Sequence, residues 1–193
     1  MSERAVHELL SDVSWAIAQR LPKRDLLAML TRLVASAAPG SSEERFAKLE
    51  LARLALDKQP FRAARFAQDV LRYGADEAAL GLLGIAHMRL GHWKAARWAF
   101  ERALRLAPDD AAVLHNLGHL LDVAFERPDD ALPHLALASR LHPDEPAIAS
   151  SYAHALSRTG QKARAEQVLV KNARLSPGLA HVTVEGWTAA KKP

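Results

Sequence analysis

The sequence contains no cysteine, and this absence excludes several chemistries at once. No disulfide, thiolate nucleophile or cysteine-ligated zinc site can form in its 193 residues. There is also no run of about 18 apolar residues, so we expect no membrane-spanning helix. Acids at Glu3, Glu8 and Asp12 interrupt the N-terminus, so we expect no secretory signal either. Together these absences favour a protein of the reducing cytoplasm.

Glycine and proline are scarce, with nine and ten residues respectively, and they punctuate long stretches rich in leucine, alanine and arginine. This composition is typical of a mostly helical protein. A chain of this length can form one compact domain or a short solenoid that buries roughly two-thirds of its unfolded surface. We therefore predict an all-α protein.

Enzyme signatures are absent as well. The chain has no GxGxxG, GxxxxGK[ST], HExxH or GxSxG motif. The carboxylate pairs Asp109-Asp110 and Asp129-Asp130 fall at predicted helix starts, where aspartate commonly serves as a cap. We therefore predict no catalytic residue, no cofactor and no enzymatic activity.

The net charge of +4 is distributed unevenly along the chain. Residues 1–76 carry a net charge of +2, residues 77–145 carry −3 and residues 146–193 carry +5. The basic end could contact an acidic partner. No basic cluster alternates with aromatic residues across the acidic middle, so we do not expect a nucleic-acid partner.

Prolines reveal an internal repeat. Pro108, Pro143 and Pro177 each follow an apolar stretch, and their spacings of 35 and 34 residues are typical of a helical repeat array. Each period also has a small residue in the middle of its first helix and another on the helix that faces it, which allows the two helices to cross closely. These pairs are Gly84 with Ala96, Gly118 with Ala131, and Ala153 with Ala165.

The pattern Leu83-Gly84, Ala96, Phe100, Ala103, Pro108 resembles the tetratricopeptide repeat family almost position for position. The resemblance implies a right-handed α-solenoid of helix pairs. An earlier, degenerate copy keeps Leu51-Ala52 and Ala64 but lacks the final proline. The predicted segments are an N-terminal helical extension at 1–40, the degenerate repeat at 41–76, three repeats at 77–110, 111–145 and 146–179, and a tail at 180–193.

The two ends of the chain lie outside the repeats. Two apolar stripes with helical spacing, one on each side of Pro22, predict two amphipathic helices in the extension. Ser41 and Glu44 have the spacing of a capping box for the following helix. After Pro177 the helical pattern is lost, so the tail with Val182, Val184 and Trp187 is predicted to be extended, either loose or docked in the protein's own groove.

The resemblance implies a non-catalytic adaptor or scaffold that binds a segment of another protein in a concave groove. The family's carboxylate clamp is not reproduced, because only Asn116 matches, while Gly81 and Ile85 occupy preceding clamp positions. Recognition of a C-terminal carboxylate is therefore not expected. By alignment with the family, the groove residues are Ile85, Met88, Arg89, His115, Asn116, His119, Asp122, Ser150, His154 and Arg158.

Two narrower alternatives remain open. A helical N-terminal extension followed by about three repeats resembles, in layout, bacterial secretion chaperones that hold a partner protein. The second alternative is a metal-binding or metal-responsive protein. His115 and His119 share a helix face, His154 is the equivalent position one repeat later, and Asp122 lies one turn beyond His119.

A second candidate surface lies on the outer helices. In Arg65-Phe66 and Arg97-Trp98 the aromatic residue takes a position that the family usually gives to a charged, exposed side chain. Phe66 and Trp98 therefore form a candidate convex apolar patch. We expect either the N-terminal helices or a second protein to cover it, and that protein could be another copy of this chain.

Overall fold

The computed structural model describes residues 3–189 and is all-α. Over these residues it contains eleven helices and no strand. None of the eleven is both long and apolar enough to cross a bilayer. The helices are α1 Glu3–Ala18, α2 Lys23–Ser36, α3 Ser42–Ala55, α4 Pro60–Leu71, α5 Glu77–Arg89, α6 Trp93–Leu106, α7 Ala111–Val123, α8 Pro128–Leu141, α9 Pro146–Arg158, α10 Lys162–Lys171 and α11 Pro177–Ala189.

The chain divides into two compact units. The first unit extends to Ala99 and the second begins at Phe100, so α6 begins in one unit and ends in the other. Within the first unit, α1 to α5 each pack on the next helix, and α3 also packs on α5. Within the second unit, the same pattern links α7 to α11, and α9 packs on both α7 and α11. This is the helix-pair packing that the repeat spacing predicts.

In the first unit, the N-terminal extension forms the two predicted helices. Val13 on α1 is fully buried with Leu30 and Leu33 on α2 and Leu51 on α3. Burying side chains of this size stabilises the fold by about 1.5–3 kcal/mol each. The apolar stripes of α1 and α2 therefore extend the helix stack at its N-terminal end. Residues 1 and 2 of the predicted extension lie outside the described residues.

Polar caps define the helix starts in this unit. The Ser41 hydroxyl accepts a hydrogen bond from the Glu44 amide at 3.2 Å, while the Glu44 carboxylate accepts one from the Gly40 amide at 2.7 Å. Asp76 caps α5 by accepting from the Ala79 amide at 2.8 Å. These bonds satisfy amide groups that have no intrahelical acceptor. The reciprocal capping predicted for Ser41 and Glu44 is confirmed, although the carboxylate reaches the residue before Ser41.

In the second unit, the closest helix approach occurs at Gly118 on α7. A Cβ atom at this position would lie 2.5 Å from Leu135 Cγ and 3.3 Å from the Ala131 carbonyl oxygen on α8. A Cβ atom this close would force Leu135 to shift, so glycine is strongly favoured here. The predicted pairing of Gly118 with Ala131 is confirmed.

The start of α8 differs from the sequence-based prediction. Asp110 caps α7, accepting from the amides of Ala112 and Val113 at 2.9 and 3.0 Å, as expected. Asp129 and Asp130, however, lie inside the first turn of α8, which begins at Pro128. Proline is well suited to the first helical position because its fixed φ matches the helix and it has no amide hydrogen to leave unpaired. The two acids instead interact favourably with the helix dipole.

The prediction of an extended C-terminal tail is wrong for its described part. Residues 177–189 form α11, and Ala180 and Val184 are fully buried against α9 and α10. Pro177 starts this helix, and the Ser176 hydroxyl accepts a hydrogen bond from the Leu179 amide at 3.4 Å. Burial of these apolar side chains stabilises a helix whose own amphipathic pattern is weak. Residues 190–193 of the predicted tail lie outside the described residues.

Candidate partner-binding face

In the first unit, three of the predicted groove residues lie on α5. Ile85 and Met88 are half-buried, so part of each apolar side chain remains accessible. Arg89 is exposed at the end of the helix, and its Nη2 lies 3.3 Å from Asp57 Oδ1 in the turn between α3 and α4. An exposed ion pair of this kind contributes little to stability and leaves the guanidinium available. This part of the set is therefore mainly apolar.

In the second unit, α7 and α9 carry the polar members of the set. His119 and Ser150 are exposed, and His115, Asn116 and His154 are half-buried. The rings of His115 and His119 lie with their centroids 6.2 Å apart, as expected for residues four apart on one helix. The structure thus brings these five residues together on two adjacent helices. We call this set the α7–α9 face.

Hydrogen bonds between the two helices fix part of the α7–α9 face. His115 Nε2 lies 2.9 Å from the Ser151 hydroxyl oxygen on α9. Burial lowers the pKa of His115, and neighbouring His119 lowers it further, while Glu145 opposes both effects. Desolvation also lowers the pKa of His119, with Asp122 acting in the opposite direction. Both rings therefore favour the neutral form and can donate as well as accept a hydrogen bond near pH 7.

Asp122 forms a buried network with two residues of α9. Its side chain is almost fully buried, and Oδ2 lies 2.5 Å from His154 Nδ1. Arg158 Nη1 donates to Asp122 Oδ1 at 2.8 Å and also to the Asp122 backbone oxygen. A buried carboxylate needs such partners, because an unpaired charge in the interior is very costly.

This burial contradicts the prediction that Asp122 contacts a partner directly. The Arg158 side chain is also largely buried, with 9% of its surface exposed. Both residues instead connect α7 to α9. Asp122 holds His154 in position and Arg158 holds Asp122, so both residues support the α7–α9 face.

The α7–α9 face is bordered by a residue that the sequence analysis placed in an extended tail, either loose or docked in the groove. Trp187 on α11 presents its ring to His154 in an edge-to-face arrangement, with the centroids 5.2 Å apart. Such aromatic contacts contribute about 0.5–1.5 kcal/mol beyond area burial. The spacing of Ala180, Val184 and Trp187 at i, i+4 and i+7 is the signal that could have predicted this helical face.

The structure gives no support to the metal-binding alternative. Among residues 3–189, no group of three or more histidine or acidic side chains is placed to hold a metal ion. The physical reason is that the potential ligands are already engaged. Asp122 accepts from His154 and Arg158, and His115 bonds to Ser151.

The candidate convex patch is only partly covered. Phe66 is half-buried and packs against the core built by α1, α2 and α3. Trp98 remains 50% exposed and lines a depression of about 530 Å³ with Leu71, Leu83 and Ala95. The two aromatics therefore differ in exposure: Phe66 is half-buried against the core, and Trp98 is half-exposed.

Comparison with known proteins identifies the class of this architecture. Residues 76–120 match a family model described as tetratricopeptide repeat. No curated protein sequence matches the chain. Residues 76–120 are thus a tetratricopeptide repeat region, and the described chain has the α-solenoid fold of tetratricopeptide proteins.

Solved structures show the same fold at low sequence identity. Pseudomonas aeruginosa pilF superimposes with a TM-score of 0.76 at 17% identity, over 97% of this chain and 86% of that chain. YrrB, described as a tetratricopeptide protein with an unusual peptide-binding site, gives 0.66 at 20% identity, over 84% and 85%.

A Thermobaculum terrenum O-GlcNAc transferase gives a TM-score of 0.62 at 27% identity, over 67% of this chain but only 26% of that enzyme. Most of the transferase therefore has no counterpart here.

Proposed function

We propose that this protein is a non-catalytic adaptor whose α7–α9 face binds a segment of another protein. The observation that carries the proposal is the set of polar side chains on α7 and α9. His115 and His154 are fixed by hydrogen bonds to Ser151 and Asp122, and His119 and Ser150 remain exposed beside them. Side chains that are already ordered lose less conformational entropy when a ligand binds.

The chemistry of the face suggests the kind of ligand. Neutral imidazoles, the Asn116 amide and the Ser150 hydroxyl can each pair with the amide and carbonyl groups of a peptide backbone. Trp187 adds an aromatic surface beside His154. We therefore propose an uncharged or weakly charged linear peptide segment as the ligand.

The test uses a displayed library of random twelve-residue linear peptides selected on the full chain. Enriched peptides are then synthesised with a fluorescent label, and their Kd is measured by polarisation. We expect the double variant His119→Ala/Ser150→Ala to weaken binding at least tenfold, because both side chains are exposed on the face.

His7→Ala/Ser11→Ala provides the matched control, because these residues are an exposed histidine and serine four apart on α1. We expect it to bind like the unmodified protein. The assignment of the α7–α9 face would be refuted if the peptides bound the His119→Ala/Ser150→Ala variant as tightly as the control variant. It would also be refuted if the selection enriched no peptide.

Exposed apolar side chains on the N-terminal helix pair favour a second candidate, a chaperone that holds a partner protein. Trp15 on α1 and Leu27 on α2 are both exposed. Side chains of this size on a surface outside the repeats are suited to shielding an apolar partner segment. If the protein is such a chaperone, we expect a partner protein that aggregates when expressed alone and stays soluble when co-expressed with this chain. Unchanged partner solubility after Trp15→Ser would exclude a role for this surface.

The absence of cysteine is compatible with a reducing cytoplasm as the site of action.

A further inference from the structure

A groove in the first unit combines apolar walls with positive charge. It lies between α2, α3 and α4 and has a volume of about 480 Å³. α2 contributes Lys23, Leu27 and Thr31, which are four residues apart and therefore share one face of the helix. These three residues extend over about 12 Å of helix, given a rise of about 1.5 Å per residue. The groove is thus long enough for about two turns of a bound helix.

The walls of the groove are apolar and partly open to solvent. Leu27 is 44% exposed, and Leu54 and Phe66 are half-buried along the opposite wall. A row of partly exposed large apolar side chains in a concave surface is a feature of binding sites rather than of a solvated helix face.

Positive charge lies along the rim of the groove. Lys23, Lys58 and Arg62 all line it, and no carboxylate lies among its lining residues. Asp57, next to Lys58 in sequence, is paired with Arg89 at 3.3 Å. Asp25 is two residues from Lys23, which places it on a different face of α2. None of these three cations has a carboxylate partner among the residues that line the groove.

Arg62 is held in place for such a role. Its Nη1 donates to the Gln59 side-chain oxygen at 2.8 Å, and the guanidinium lies 5.9 Å from the centroid of the Phe66 ring. A cation over an aromatic face is attracted by the ring quadrupole. The remaining donors of the guanidinium can pair with a carboxylate in a bidentate manner.

We propose that this groove, which we call the cationic groove, binds an acidic amphipathic segment of a partner protein. Apolar side chains of the segment pack against Leu27 and Phe66, and its carboxylates pair with Lys23, Lys58 and Arg62. The positive charge along the rim steers an anionic segment to this surface. The inference goes beyond the proposed function, because the cationic groove and the α7–α9 face belong to different units and share no residue.

The experiment again selects displayed random twelve-residue peptides on the full chain, but it compares charge variants. Lys23→Glu/Lys58→Glu reverses two rim charges, and Lys94→Glu/Lys171→Glu makes the same change in charge at exposed residues outside the groove. We expect a class of enriched peptides that are acidic and contain leucine or aromatic residues. These should bind the groove variant at least tenfold more weakly and the control variant unchanged.

Two further measurements strengthen the test. Leu27→Ser should weaken the same peptides several-fold, whereas Leu179→Ser, at a similarly exposed leucine on α11, should not. Raising the salt from 50 to 500 mM should weaken binding, because exposed charge pairs are screened. Circular dichroism melts of each variant confirm that the helices remain folded, and the single leucine variant keeps the test valid should a charge variant unfold.

Three outcomes would overturn the proposal. The first is that no acidic peptide class is enriched, and the second is that such peptides bind the Lys23→Glu/Lys58→Glu variant as tightly as the unmodified protein. The third comes from co-sedimentation with phosphatidylglycerol vesicles. If the protein binds these vesicles only when Lys23 and Lys58 are present, and no selected peptide depends on the groove, the groove binds an anionic membrane surface instead.

Discussion

At positions one repeat apart, the first unit carries Ile85 and Met88 where the second carries His119 and Asp122. The α5 helix packs against α3 and α4, and α7 packs against α8 and α9. In the first unit the buried carboxylates, Glu44 and Asp76, cap the starts of helices. In the second unit Asp122 is buried between α7 and α9 and pairs with two α9 side chains. The repeat fixes the positions of the helices and leaves the groove-facing side chains free to vary, so equivalent positions are apolar in one unit and polar in the other.

The difference has a consequence for binding. A buried charge that joins two helices fixes the side chains around it more strictly than apolar packing does, because each of its hydrogen-bond partners must stay in place. The second unit is thus suited to presenting ordered polar groups. The first unit is suited to presenting apolar surface bordered by cations, as in the cationic groove.

The strongest test of this contrast removes the buried carboxylate. We expect Asp122→Ala to lower the free energy of unfolding by about 3–5 kcal/mol, because the buried Arg158 loses its carboxylate partner and keeps only the backbone oxygen of residue 122. Met88→Ala, at the equivalent position in the first unit, should cost about 1–2 kcal/mol, since it removes only part of an apolar contact. Urea unfolding followed by circular dichroism measures both.

A double variant separates the charge from the packing. Asp122→Leu/Arg158→Met replaces the pair by apolar side chains of similar size and should recover most of the loss. If Asp122→Ala costs no more than Met88→Ala, the buried network does not distinguish the two units.

A substitution where two helices approach closely should have an effect of intermediate size on stability. Gly118→Ala should destabilise the protein by about 1–3 kcal/mol, because its Cβ would collide with Leu135. Ala52, the small residue of the degenerate repeat in the first unit, already has a Cβ, so Ala52→Gly should cost only about 1 kcal/mol in helix propensity and lost contact.

Gly186→Ala on α11 controls for the helix propensity of alanine, because nothing lies within 4 Å of a Cβ there. We expect this variant to be neutral or stabilised by up to about 1 kcal/mol. Thermal melts monitor all three substitutions. A Gly118→Ala variant as stable as Gly186→Ala would show that α7 and α8 can separate at little cost.

The smallest expected effect is a dependence of stability on pH. The pKa of His115 and of His134 in the second unit is lowered by burial, as is that of His87 in the first. Below pH ~6.5, the ordinary value, the unfolded chain binds more protons than the folded one. The free energy of unfolding is therefore at its full value above this pH and should decrease as the pH falls.

Urea unfolding between pH 5.5 and 7.5 measures this slope. His115→Gln/His134→Gln should flatten it more than His87→Gln does, since two of these three groups are removed. An unchanged slope in the double variant would place the responsible protons elsewhere.

The sequence by itself determined the helix pairs. Proline spacing, the small residues Gly118 and Ala131, and the apolar stripes of α1 and α2 are local features, and helices form from local hydrogen bonds and side-chain periodicity. The same reasoning predicted which polar side chains lie on α7 and α9. It misplaced the start of α8, where two acids resemble caps although Pro128 already begins the helix, and it missed α11, whose weak amphipathic pattern is stabilised by burial against α9 and α10.

Tertiary structure alone decided how distant side chains combine. Asp122 and Arg158 are 36 residues apart, and their pairing depends on how closely α7 approaches α9. The cationic groove likewise unites Lys23 on α2 with Lys58 in the turn before α4 and Arg62 on α4. Burial and charge compensation act through space rather than along the chain. A periodic pattern can therefore place a residue on a helix face without showing whether that residue meets a partner, solvent or another charge.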